Sequence, residues 1–187
     1  MPQTVALVNG WENFYVITGS SAAGLTGLTF VVIALASEAK MVRLSGLRAF
    51  ITPIVIHFSS VLWIACLMSV PGHTRLSLAI SIALTGIAMM TYSLMTIVRM
   101  SRFRQEYTPA LEDWIWSGVL PALSCLAMLA AAKLVLQHPG LSLYIVGGVT
   151  LAMLVIGIHN AWDLAVWITV ERPGVQEPGS EKPKDTT

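Results

Sequence analysis

The longest apolar run of the chain is LSLYIVGGVTLAMLVIGIHNAWDLAVWITV, from Leu141 to Val170. Its histidine and its carboxylate, His159 and Asp163, are confined to the second half of the run. A hydrocarbon core of about 30 Å is crossed by roughly 20 helical residues, and a helix satisfies its own backbone hydrogen bonds. The run is therefore predicted to be a transmembrane helix.

Four further runs have the same apolar character. They are Phe14 to Ala36, Ala49 to Val70, Leu76 to Val98 and Trp114 to Leu136. None alternates polar and apolar residues as the strands of a membrane β-barrel do. With 11% charged residues, the chain is also far less charged than soluble proteins, in which the fraction is about 25%. We therefore predict an all-α integral membrane bundle of five transmembrane helices within residues 1–170.

The connections between the runs carry turn residues. Pro71-Gly72 and Pro139-Gly140 leave room only for tight hairpins, which predicts that helices 2 and 3, and helices 4 and 5, are antiparallel neighbours. Residues 171–187 are rich in proline, glycine and charge, and they are predicted to form a disordered tail.

The distribution of basic residues predicts the orientation of the helices. Nine lysines and arginines flank one side of the predicted spans and two flank the other, and short basic loops stay in the cytoplasm. The larger group comprises Lys40, Arg43, Arg48, Arg99, Arg102, Arg104, Arg172, Lys182 and Lys184, and the smaller one comprises Arg75 and Lys133. We therefore expect the N-terminus outside and the tail in the cytoplasm.

Aromatic residues near the ends of the runs fit this orientation as interfacial belts. Trp11, Phe14 and Tyr15 are expected at the outer interface, and Trp114, Trp116 and Trp167 at the inner one.

Polar side chains within the runs are the candidates for function, because they are costly in hydrocarbon and usually face the bundle interior. The predicted polar cavity comprises His57, Tyr92, His159, Asn160 and Asp163. Counted along their helices, the two histidines fall at matching depths, and Asp163 follows His159 by one helical turn. The alternative is that these groups only connect helices, with Asp163 solvated at the inner interface.

Small residues indicate where helices approach closely. The predicted packing groove comprises Gly19, Ala23 and Gly27 of helix 1 and Gly148 and Ala152 of helix 5, and the latter face is expected to point inward. Such a groove serves contacts within one chain or between subunits. The neighbouring serines and threonines of helix 1 leave a pore-lining surface as the alternative.

Several other features are weaker signals. Arg99, Arg102 and Arg104 are candidates for binding anionic lipid headgroups, although cytoplasmic topology alone explains them. Cys66 and Cys125 are expected to be small buried side chains. The sequence contains no phosphate-binding glycine loop, HExxH, nucleophile elbow or CxxC, which disfavours catalysis.

Two segments carry a family resemblance. WENFYVITGSSAAGLTGL, from Trp11 to Leu28, resembles the first helix of a group of small, uncharacterised bacterial multi-pass membrane proteins, and GIHNAWD, from Gly157 to Asp163, is similar to that group's last helix. The resemblance implies a bacterial inner-membrane location and brings no activity with it.

Three functional hypotheses follow. The leading one is a non-enzymatic, oligomeric channel or transporter-like bundle whose His57, His159 and Asp163 handle protons, ions or a small solute. The second is a structural or regulatory subunit that binds a membrane protein through the groove of helix 1. The third is a metal or haem site that uses the two histidines, although no cofactor is expected. Membrane lipids and a homo-oligomer or membrane protein are the expected partners, and nucleic acid is not.

Overall fold

The computed structural model describes residues 10–38, 44–102 and 114–170, with side chains for residues 10–35, 52–98, 101 and 114–166. This described part is all-helical and contains no strand. Its helices are α1 (Glu12–Glu38), α2 (Leu44–Met68), α3 (Arg75–Arg102), α4 (Leu120–Leu134) and α5 (Pro139–Val170), and a short π-helix (Ile115–Val119) leads directly into α4. The predicted tail, residues 171–187, lies outside the described part.

Four helical segments are long and apolar enough to cross a membrane. They are Glu12–Leu35, Arg75–Val98, Ile115–Leu134 and Pro139–Val166. The described apolar stretch of α2, Thr52–Met68, is shorter. The prediction of apolar helices of spanning length is therefore confirmed for four of the five runs.

The helices pack side by side in the order α1, α2, α5, α4, α3, as judged by their main contacts. The predicted pairing of α4 with α5 is present, and Ser142 strengthens it by donating a buried hydrogen bond of 2.8 Å to the carbonyl of Ala131. The predicted pairing of α2 with α3 is largely wrong, because α5 rather than α3 packs along α2. A hydrogen bond of 3.1 Å from Trp63 Nε1 to Thr85 Oγ1 still links α2 and α3.

The turn between α2 and α3 is held by local hydrogen bonds. Gly72 adopts a φ of 79°, which favours glycine. Thr74 and Ser77 form a reciprocal cap at the start of α3, with each hydroxyl accepting the other residue's backbone N–H at 3.1 and 2.9 Å. His73 Nε2 lies 3.0 Å from the carbonyl of Leu67 and thereby closes the turn onto the end of α2.

Glycines permit the closest approaches between helices. A Cβ atom at Gly157 would lie 2.6 Å from the ring of Phe58, and one at Gly147 would lie 2.7 Å from the ring of Trp11. Packing of α2 and α1 on α5 therefore requires glycine at these two positions.

The aromatic residues at the start of α1 form part of the bundle rather than a simple belt. The ring centroids of Trp11 and of Tyr144, which lies on α5, are 5.0 Å apart, and only 1% of Tyr15 is exposed. Tyr15, which the sequence assigns to the outer aromatic belt, is therefore a residue of the protein core.

The two prolines within predicted helices behave differently. Helix α2 continues through Pro53. Pro121 follows the π-helix, in which the N–H of Leu120 donates to the carbonyl of Ile115, five residues back. Proline lacks an N–H and its ring clashes with the preceding turn of a regular helix, so the wider π-turn relieves the strain at Pro121.

Candidate functional site

His159 lies between an aromatic ring and a carboxylate. Its imidazole stacks on the indole of Trp116, with ring centroids 3.8 Å apart and planes inclined by 21°. Its Nε2 lies 3.1 Å from Oδ2 of Asp163, one turn further along α5. That contact is within ion-pair distance. Asp163 is about half-exposed, whereas His159 is largely covered.

The π-helix presents Trp116 to α5. A π-turn holds one more residue than an α-turn and changes the direction of the side chains before it; such turns are frequent at functional sites. We refer to Trp116, His159 and Asp163 together as the His159 site.

His57 is the second buried histidine of the bundle. Only 5% of its surface is exposed, and its Nδ1 has no hydrogen-bond partner among the described residues. Most buried polar atoms in proteins have a hydrogen-bond partner, and an exception calls for an explanation such as bound water or a ligand.

The packing of α2 on α5 places His57 level with the His159 site. Ile54 and Phe58, on either side of His57, belong to one buried cluster with Leu164 of α5. Phe58 also packs against Gly157. Because Gly157 and Leu164 bracket residues 159 and 160 in the antiparallel neighbour, the matching depth predicted for the two histidines agrees with the helix register.

Asn160 adds a further polar group at this level. The residue is partly buried, and its Nδ2 lacks a hydrogen-bond partner within the part of the chain that is described. Tyr92 is partly buried on α3, whose main neighbour is α4. The structure thus places His57, His159 and Asn160 at one level of α2 and α5, with Asp163 one turn further along α5 and Tyr92 on another helix.

The predicted small-residue groove is divided between different surfaces. A Cβ atom at Gly19 would lie 2.9 Å from Cβ of Ala65, so Gly19 packs against α2. Ala23 and Gly27 are exposed, and no described atom lies within 4 Å of a Cβ at Gly27. Gly148 is also exposed, with its Cβ position equally open in the described structure, while Ala152 is partly buried. The expectation that the face at Gly148 points inward is therefore wrong.

Four hydroxyl groups of α1 are satisfied within their own helix. Those of Thr18, Ser21, Thr26 and Thr29 donate to carbonyls four residues earlier, at 2.8 to 2.9 Å. This arrangement is ordinary for serine and threonine in helices. It favours packing over a hydroxyl-lined pore for α1.

A lateral groove of about 240 Å³ opens between α3 and the start of α4. It is lined by Ile97, Trp114, Gly118, Val119, Ala122, Leu123 and Leu126. The exposed surface of the groove is apolar, so the groove is distinct from the polar cavity that the sequence predicts. The side chain of Trp114 therefore lines the groove, whereas that of Trp116 packs on His159.

The remaining candidate residues have separate outcomes. The side chains of Arg99 and Arg102, and the whole of Arg104, lie outside the described part. Cys125 is buried as expected, whereas Cys66 is exposed, which corrects that expectation. Within residues 10–38, 44–102 and 114–170, no group of three potential metal ligands comes together.

Trp116 is the site residue that the sequence interpretation assigned to another role. It was expected at the inner interface, but it covers His159 instead. The contact of Trp116 with His159 was predictable from the sequence, because the tight 137–140 turn places each residue about twenty positions from the hairpin tip. Residues at equal distances from a tight turn lie side by side in antiparallel helices.

Searches among protein-family models, curated proteins and solved structures found no match to this chain.

Proposed function

We propose that the chain is a five-span membrane protein that moves protons, alone or with a small ion or solute, through the level of His57 and the His159 site. In this proposal the N-terminus is outside, the C-terminus is cytoplasmic, and the location is a bacterial inner membrane. The nine-to-two distribution of basic residues supports the orientation. The resemblance of segments of α1 and α5 to helices of small bacterial multi-pass membrane proteins supports the location.

The observation that carries the proposal is the buried imidazole of His57 at the level of a second imidazole paired with a carboxylate. The Nδ1 atom of His57 lacks a partner among the described residues, and His159 lies 3.1 Å from Asp163. Ionisable groups within membrane helices usually mark ion or proton pathways. Histidine suits proton transfer because its free side chain titrates near neutral pH.

The test is proton flux into liposomes that contain the purified protein, a trapped pH-sensitive dye and an imposed potassium diffusion potential. His159→Ala is expected to reduce the protein-dependent flux about a hundredfold, the lower end of the typical contribution of a positioned proton-transfer group. His138→Ala removes an exposed imidazole from the α4–α5 turn and serves as the matched control. Its flux should equal that of the original protein.

Unchanged flux in His159→Ala would contradict the proposal, as would the absence of any flux above that of empty liposomes. Size-exclusion chromatography of the variant distinguishes a lost pathway from a lost fold. Native mass spectrometry of the same preparation reports the number of subunits and any retained small molecule, which would show whether a second substrate accompanies the proton.

A second function is favoured by the outward face of α1. Ala23, Gly24 and Gly27 are exposed there, and the Cβ positions of both glycines are open in the described structure. Small residues on an exposed face allow another transmembrane helix to approach closely. We propose as the alternative that this face binds a second membrane helix, which makes the protein a structural or regulatory subunit.

The alternative is tested by adding bulk to the exposed face. Gly27→Leu should disrupt the complex or oligomer seen by native mass spectrometry, whereas Ala88→Leu, at an exposed position of α3, should preserve it. Under this alternative His159→Ala only lowers thermal stability. A complex that survives Gly27→Leu intact would contradict the alternative.

A further inference from the structure

We infer that a bound water molecule bridges Nδ1 of His57 and Nδ2 of Asn160 between α2 and α5. The inference deepens the proposed function, because it rests on the same polar level, and it names water as the molecule that connects His57 to the His159 site.

Two buried atoms without partners carry the inference. Nδ1 of His57 and Nδ2 of Asn160 are both inaccessible to solvent, and neither has a hydrogen-bond partner among the described residues. His57 itself is 95% buried, since only 5% of its surface is exposed. Leaving both atoms unpaired would forfeit their full hydration free energy.

Helix register brings the two atoms to the same level. The contact of Phe58 with Gly157 lies on one side of the two polar atoms, and the cluster that contains Ile54 and Leu164 lies on the other side. These contacts are apolar and hold α2 against α5. The polar atoms between them are thus enclosed by packed side chains, where no bulk water satisfies them.

The chemistry of the two groups fits one water molecule. The amide Nδ2 of Asn160 only donates, whereas Nδ1 of a neutral histidine accepts when the proton resides on Nε2. A water molecule accepts from the amide and donates to the imidazole, so each atom gains one hydrogen bond. A direct bond between the groups is a different arrangement, which the experiment distinguishes.

Two further buried polar atoms without a partner among the described residues lie away from this level. Tyr15 Oη lies near the start of α1, and Ser93 Oγ lies on α3, which packs mainly on α4. Ser93 therefore provides a control for a polar atom that is buried away from the α2–α5 contact.

The experiment is water-detected NMR of the full chain, selectively labelled with ¹⁵N-asparagine, in a deuterated detergent. Only three asparagines are present, Asn9, Asn13 and Asn160, so the buried side-chain amide is identified from its loss in Asn160→Leu. Rotating-frame Overhauser spectra should show a water cross-peak to the Asn160 amide protons. That cross-peak should disappear in His57→Leu and remain in Ser93→Ala.

¹⁵N-histidine labelling tests the other side of the bridge, and His57 is expected in the tautomer that carries its proton on Nε2. The inference is overturned if the Asn160 amide shows no water cross-peak in the original protein, or if His57→Leu leaves the cross-peak unchanged. A direct cross-peak between the amide and the His57 ring, without water, also overturns it.

The same variants separate this inference from the proposed function. Bound water without proton flux would contradict the proposed function alone. Proton flux without the water cross-peak would contradict the inference alone.

Discussion

Single glycines determine how closely the helices of this protein approach. The sequence identifies small residues as contact positions, but it assigns the contact to Gly148, which is exposed, rather than to Gly157, which packs on Phe58. Both glycines lie in the same apolar helix, and four-residue spacing alone does not show which face meets a neighbour. The deciding fact is the position of α2, which only the packed structure supplies.

Replacing Gly157 by alanine is expected to destabilise the protein. The new Cβ would lie 2.6 Å from a fully buried phenylalanine ring that packs in the core, and overpacking of this kind typically costs about 1 to 3 kcal/mol. Gly148→Ala is the control, because it adds the same methyl group to open space on the same helix. Thermal unfolding in mild detergent should therefore show a lower midpoint for Gly157→Ala only.

The interpretation of this result has an internal check. Phe58→Leu in the Gly157→Ala background removes the ring that the new methyl group meets, and it should recover part of the lost stability. Equal midpoints for Gly157→Ala and Gly148→Ala would show that α2 and α5 do not approach as closely as described.

At the scale of elements, the sequence predicts the helices well and their internal irregularity poorly. The predicted run from Leu141 to Val170 corresponds to α5, and the run from Leu76 to Val98 lies within α3. Apolar length is a local property, so it is readable from composition. The π-helix at Ile115–Val119 cannot be read from composition, because its turn depends on how Pro121 and Trp116 fit against neighbouring helices.

Deletion of Ser117 tests the role of the π-helix. Removing one residue converts a hydrogen bond that spans five residues into the ordinary span of four, so a regular α-helix forms. Trp116 then lies three α-helical residues before Leu120 instead of four residues of a wider turn, so its indole is turned away from its stacked position on His159. We expect retained helix content in circular dichroism but a downfield shift of the His159 ring protons in NMR, because the ring current of the stacked indole is lost.

Ser117→Ala is the matched control, since it removes the same hydroxyl and keeps the number of residues. Its His159 resonances should stay close to those of the original protein. Unchanged His159 resonances after the deletion would mean that the π-turn does not position Trp116.

At the scale of the whole molecule, the order of the helices was the least predictable feature. Short connections correctly pair α4 with α5, but they do not show that α5 inserts beside α2. That neighbour relation joins residues about a hundred positions apart in the sequence, such as Phe58 and Gly157. The level shared by the histidines was predictable from helical rise, whereas the contact of Trp116 with His159 required the α4–α5 hairpin to be followed back to the π-helix.

The orientation of the whole bundle gives the last prediction. If the basic side of the chain is cytoplasmic, His138 in the α4–α5 turn lies outside and Ser101 at the end of α3 lies inside. Both residues are exposed, so each is a suitable site for a single cysteine in a background of Cys66→Ser and Cys125→Ala. A membrane-impermeant maleimide should label His138→Cys in cells whose outer membrane has been opened, and Ser101→Cys only after the inner membrane is broken. The reverse pattern would place His57 and the His159 site in the outer half of the membrane, so protons would reach them from the opposite side.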